Sequence, residues 1–87
     1  MNLTINQKVS WYLMCSYAYY QENISLLSDQ VYDQICKDLL KDFDKIDHIH
    51  KHLLDKNSLK CGTGFNVIYP ERVIGAAKLA IKFNEEI

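Results

Sequence analysis

Tyr19-Tyr20 and Ser28-Asp29-Gln30-Val31-Tyr32-Asp33 mark the end of one helix and the start of the next. Asp29 and Asp33 stand four positions apart with Tyr32 between them, so all three project from one helical turn. A tyrosine face flanked by carboxylates suits a flat, amide-bearing, partly cationic ring. The aromatic stacks, and the acids attract the charge and accept the amide protons. The same spacing also fits two core tyrosines beside a first-turn acid.

The helices extend outward from this junction. Residues ~4–22 carry Ile5, Val9, Tyr12, Leu13, Ser16, Tyr19 and Tyr20 on one stripe at helical spacing. Thr4 and Gln7 form a capping-box pair at its start. Trp11, Met14 and Ala18 lie on another side, so the helix is expected to be buried on more than one face. Glu22 to Leu27 connect it to the next. Ser28 is a good N-cap, and Asp29 sits where the helix dipole favours an acid. The second helix is expected to reach Phe43 or Ile46, with Val31, Tyr32, Ile35, Cys36, Leu39 and Phe43 inward. Lys37, Asp38, Lys41 and Asp42 form its solvated side.

Beyond it, 44–54 reads as a third, shorter helix or a continuation, with Ile46, Ile49, Leu53 and Leu54 as its apolar contacts. Residues 55–58 read as a turn, and 59–69 as a short hairpin-like loop around Gly62-Thr63-Gly64. Pro70 fits the first position of a last helix over ~70–83, whose inward stripe is Val73, Ile74, Ala77 and Ile81. Its small residues Gly75, Ala76, Ala77 and Ala80 predict close packing. The expected fold is mainly α and a single domain over 1–87. An antiparallel helix pair occupies 1–43, and a helix, a glycine-containing loop and a C-terminal helix occupy 44–87.

Eighty-seven residues with 48% hydrophobic content make one small domain with material for a core, which argues against disorder. Ten basic residues against eleven acidic ones give no electrostatic footprint for autonomous nucleic-acid binding. No apolar run approaches the ~20 residues needed to span a membrane. Cys15, Cys36 and Cys61 are odd in number, lack a CxxC pairing and follow no signal-peptide pattern, so reduced thiols in the cytoplasm are expected. Cys15 and Cys36 fall at core positions.

Two further clusters carry ligand-type side chains or backbone groups. His48 and His52 would share a helix face with Asp44, the spacing of a two-imidazole zinc pair. A third strong ligand is missing, Cys61 being distant in sequence, so titratable surface histidines and no metal site are the expectation. Cys61-Gly62-Thr63-Gly64 exposes backbone N–H groups able to cradle a phosphate, but it lacks the spacing of a P-loop or a dinucleotide fingerprint.

Tyr17-Ala18-Tyr19-Tyr20 and Asp29-Gln30-Val31-Tyr32-Asp33, in that order and without a gap, resemble the N-terminal Ia subdomain of bacterial NAD-dependent DNA ligases. Those sequences read Tyr-x-Tyr-His/Tyr, about ten residues, then Asp-x-x-Tyr-Asp. The resemblance covers Met14 to Leu39, about a third of the chain. It implies a clamp for the nicotinamide mononucleotide (NMN) half of NAD, with Tyr19 and Tyr32 as aromatic walls and Asp29 and Asp33 contacting the ring and its ribose. Tyr20 falls where many ligases have histidine, and the Asp-Ala-Pro often found before the second motif is absent. The Lys-x-Asp-Gly motif of the adenylation domain is also absent, so the chain is not a complete ligase and is expected to be no enzyme. It looks like the small phage proteins related to this ligase that keep the clamp alone, which would place it in a host cytoplasm. The resemblance thus implies a non-catalytic module that takes NMN or NAD as ligand and requires no cofactor. The alternative is a protein-interaction module acting on a host or phage replication or nucleotide-metabolism protein, with the aromatic surface as its anchor.

Overall fold

Thr4 opens the first helix as its spacing predicts. The Gln7 backbone N–H donates to Thr4 Oγ1 at 3.2 Å, and the Thr4 N–H donates to Gln7 Oε1 at 2.9 Å. This reciprocal cap starts α1 (Ile5–Glu22). The protein is described by a computed structural model over residues 3–62 and 68–86. Ser28 caps α2 (Asp29–Lys41) by accepting from the Val31 N–H. Two further helices follow, α3 (Lys56–Cys61) and α4 (Glu71–Glu86). Among the described residues there is no strand, and no helix is long and apolar enough to cross a membrane.

The first two helices run antiparallel. Lys8, near the start of α1, pairs with Asp38, near the end of α2, at 2.9 Å. Ser16, further along α1, meets Tyr32, near the start of α2, at 2.7 Å. Asp38 is therefore not the freely solvated residue its position suggested; it ties the two helices together. Helix α1 packs against both α2 and α4, while α2 packs against α3. That central place accounts for four consecutive buried residues, Cys15 to Ala18, in α1.

Val9, Tyr12, Leu13, Ile35, Cys36 and Leu39 form the heart of the core, joined by Ile46, Leu54, Leu59 and Val73. Tyr12, Leu13 and Leu39 are fully buried, each contributing roughly 1.5–3 kcal/mol through the apolar area removed from water. All three cysteines are free, Cys15 and Cys36 buried and Cys61 exposed.

The middle of the chain departs from expectation. Helix α2 stops at Lys41, short of Phe43. Residues 44–54 form no α-helix: single 3₁₀ turns at Phe43–Lys45 and Lys51–Leu53 flank irregular backbone. Asp42, Asp44 and Asp47 favour turns over helix interiors, and long-range partners claim the backbone. The Asp47 N–H donates to Asn6 Oδ1 at 3.0 Å, and His48 reaches Ser10. The turn expected at 55–58 is instead the start of α3. Asp55 accepts from the Asn57 N–H at 3.3 Å and the Ser58 hydroxyl at 3.1 Å, a cap that starts a helix. Residues 59–61 are thus helical rather than an arm of a hairpin, and Gly62 ends α3 in the left-handed conformation at φ 67°. The rest of the expected hairpin, 63–67, lies outside the described residues.

Helix α4 buries Val73, Ala77 and Ile81. Pro70 immediately precedes it, its carbonyl accepting from the Ile74 N–H at 3.1 Å. Gly75 does not mediate close packing within the chain: a Cβ there would meet nothing within 4 Å.

Candidate functional site

A turn at the end of α1 sets up a cleft. Asn23 adopts the left-handed conformation (φ 56°), which asparagine tolerates better than most residues. The Ile24 N–H then donates back to the Ala18 carbonyl at 2.8 Å. The chain reverses, and the last turn of α1 faces the first turn of α2. Between them opens a cleft of about 510 Å³, a volume in the range of small-molecule sites.

Helix α1 supplies Cys15, Tyr19 and Tyr20 to the cleft, the linker Ser25, Leu26 and Leu27, and helix α2 Asp29, Gln30, Tyr32 and Asp33. Gly62 closes it from the end of α3. All five residues singled out in the sequence, Tyr19, Tyr20, Asp29, Tyr32 and Asp33, therefore line one space. Cys15 was legible as lying one turn before Tyr19. Gly62 was not, because nothing local tells which distant turn will cover a helix N-terminus. A Cβ at Gly62 would stand 3.1 Å from Asp33 Oδ1, so a side chain there would press into this wall.

The two aromatic walls differ. The Tyr32 ring stacks on Tyr12, with centroids 5.8 Å apart and planes at 19°. One face of Tyr32 is thus covered, and the residue lines the cleft. The hydroxyl of Ser16, itself fully buried, donates to the Tyr12 carbonyl at 2.7 Å. Its single proton is committed there, so the Tyr32 hydroxyl donates to Ser16 Oγ. Burial holds the Tyr32 phenol well above its ordinary pKa, and it stays neutral. Tyr32 is a fixed wall. Tyr19 is 54% exposed and meets Tyr20 edge-to-face at 4.9 Å and 85°, making an aromatic corner at the rim.

The acids differ as well. Asp33 pairs with Lys37 at 3.0 Å on an exposed surface, where such pairs contribute about 0–1 kcal/mol and exchange readily. Asp29 has no ion pair or hydrogen bond among the described residues, and it stands at the first position of α2. Among the described residues no lysine or arginine lines the cleft. Asp29 and Asp33 give its described lining a negative fixed charge. Burial pushes the Cys15 thiol up to about 12, so it is protonated at neutral pH and inert as a nucleophile.

The histidines take other roles. The His50 N–H donates to His48 Nδ1 at 3.0 Å, leaving Nε2 to carry the proton toward Ser10 Oγ, also at 3.0 Å. His52 Nδ1 meets the Ile49 carbonyl. The helix face on which His48, His52 and Asp44 would have aligned does not form, and no group of three metal-ligating side chains converges among the described residues. Neither Lys60 nor Arg72 lines the cleft.

The chain matches no model of a known protein family, no curated protein and no solved structure.

Proposed function

We propose that the protein is a non-catalytic module that binds the nicotinamide end of a nicotinamide nucleotide, NMN or NAD, in the cleft between α1 and α2. One observation supports this above the others: Tyr19, Tyr20, Asp29, Tyr32 and Asp33, the residues of the ligase-like motif, line a single acidic, aromatic cleft. The oxidised nicotinamide ring is flat and cationic. It stacks on Tyr32 and against the Tyr19–Tyr20 corner, with Asp29 and Asp33 meeting its charge and its amide protons. The described lining holds no cationic side chain, so the phosphate points out of the mouth and adds little affinity.

The test is an NMR titration with NMN, nicotinamide riboside, NAD and NADH. Oxidised ligands are expected to shift the Tyr32 and Asp29 signals, nicotinamide riboside at least as strongly as NMN, and NADH weakly. Asp29→Asn and Tyr19→Ala each weaken binding, the latter by about 0.5–2 kcal/mol as a cation–π partner is lost. Absence of any shift at millimolar ligand, or equal binding of NADH, overturns the reading.

The exposure of Tyr19 at the rim favours a second reading, in which the aromatic corner anchors a partner protein of the replication or nucleotide-metabolism machinery. Under that reading the nucleotides produce no shift, and Tyr19→Ala abolishes capture of the partner.

A further inference from the structure

The two carboxylates of the cleft are not equally available. Asp29 takes part in none of the ion pairs of the described residues. Asp33 is held on two sides. Its Oδ2 accepts from the Lys37 ammonium at 3.0 Å, and its Oδ1 lies 3.1 Å from the point where a Cβ on Gly62 would stand. Asp33 lines the cleft and Lys37 does not. Lys37 sits one turn further along α2, so it takes the carboxylate from outside while a ligand approaches from within. An acid that the cleft offers to a cation is therefore already occupied by a cation of the chain itself. Both side chains are well hydrated where they stand, Lys37 at 67% and Asp33 at 52% exposure. Parting them costs little, since an exposed pair of this kind favours the paired state by no more than about five-fold.

We propose that Lys37 is a specificity-determining residue of the cleft: it occupies Asp33 while the cleft is empty, and a cationic ligand engages Asp33 by taking its place. The proposal rests on the nicotinamide reading of the cleft. Asp29 receives the ligand's charge without displacing anything, and Asp33 receives it only in exchange for Lys37. A neutral ring offers Asp33 no charge in return and leaves the pair closed. Lys37 thus subtracts from the affinity of a cation and leaves that of a neutral ring untouched. It sets how strongly the cleft prefers the oxidised ligand.

The test is an NMR titration of the whole chain with nicotinamide riboside, a cation, and with nicotinamide, which is uncharged at neutral pH. Lys37→Gln, at an exposed position, stays folded by circular dichroism. It binds nicotinamide riboside roughly two- to five-fold more tightly than the wild type does, with nicotinamide unchanged. Lys41→Gln removes the same charge one turn further along α2 and changes neither affinity. In an Asp33→Asn background the gain from Lys37→Gln disappears, because the contact it breaks no longer exists. In the wild type, the side-chain ammonium signals of Lys37 move as nicotinamide riboside is added and stay in place with nicotinamide. Binding of nicotinamide riboside with unmoved Lys37 signals overturns the exchange and leaves the nicotinamide reading standing. So does a gain that persists in Asp33→Asn or is matched by Lys41→Gln, since either is the effect of the general field and not of one contact. Absence of binding by both ligands removes the reading and the exchange together.

Discussion

The α1–α2 pair and the connector from Asp42 to Asp55 draw on similar residues and owe their order to different sources. Both helices start from caps formed within three residues, Thr4 with Gln7 and Ser28 with Val31, and each carries a repeating inward stripe. The connector has only two isolated 3₁₀ turns. Its backbone and side chains are held by α1: Asp47 by Asn6 and His48 by Ser10, partners 41 and 38 residues away. It also lays Lys51 and the neighbouring Lys56 over the Phe43 ring at 5.0 and 4.9 Å. The helix pair specifies itself locally, and the connector takes its shape from a surface that must already be in place.

Core truncation exposes this hierarchy most strongly. Leu39→Ala, at a fully buried position of α2, is expected to cost about 2–5 kcal/mol of global stability in urea unfolding. Leu54→Ala, in the connector, is expected to cost less, with protection from hydrogen exchange lost around 46–54 and kept in α1 and α2. Equal global costs for the two would dissolve the distinction.

The wall of the cleft comes next in size. Ser16→Ala leaves the Tyr32 hydroxyl without its acceptor in a half-buried place and should cost about 1–3 kcal/mol. Removing both hydroxyls in Ser16→Ala/Tyr32→Phe should recover part of that loss, since the Tyr32 hydroxyl is then no longer stranded. Strict additivity in this double-mutant cycle would mean that the 2.7 Å contact does not couple the helices.

The same division explains what the sequence made legible. Both caps, the antiparallel pair, the burial of α1 on more than one face and the grouping of Tyr19, Tyr20, Asp29, Tyr32 and Asp33 follow from spacings shorter than a helical turn or from a short turn between neighbours. The connector and α3 did not follow. Apolar Ile46, Ile49, Leu53 and Leu54 suggest a helix by period, but which backbone groups Asn6 and Ser10 would claim depends on the folded arrangement. Asp55 followed by Ser58 carried a legible capping signal for α3, outweighed by the glycines downstream. Gly62 reached the cleft wall only through the packing of α3 on α2. The covered face of Tyr32 likewise depends on where Tyr12 points, which a stripe of period 3.6 leaves open.

The smallest expected effect separates the two regions by pH. Burial, with the nearby His50 adding to it, holds His48 below the ordinary imidazole pKa. Its Nδ1 accepts the His50 N–H, a bond that protonation at that nitrogen removes. The unfolded chain therefore binds a proton more readily than the folded one, and stability must fall as the pH drops. The contribution is full above about pH 6.5, the unfolded value, and is lost progressively as the pH falls from there through the lower folded-state value. Asp38, held below the ordinary carboxylate range by the Lys8 ammonium and by Gln34, adds a loss of the same sign only in more acid solution. Between these windows the connector should open while α1 and α2 remain paired. Amide exchange followed from pH 7 to pH 5 should show protection lost first at Asp47 and His50. His48→Gln, which keeps a polar group near Ser10 without titrating, should remove that step. If the step survives in His48→Gln, another group governs it and the connector is not latched through His48. If α1 and α2 lose protection at the same pH as the connector, the two regions unfold as one unit.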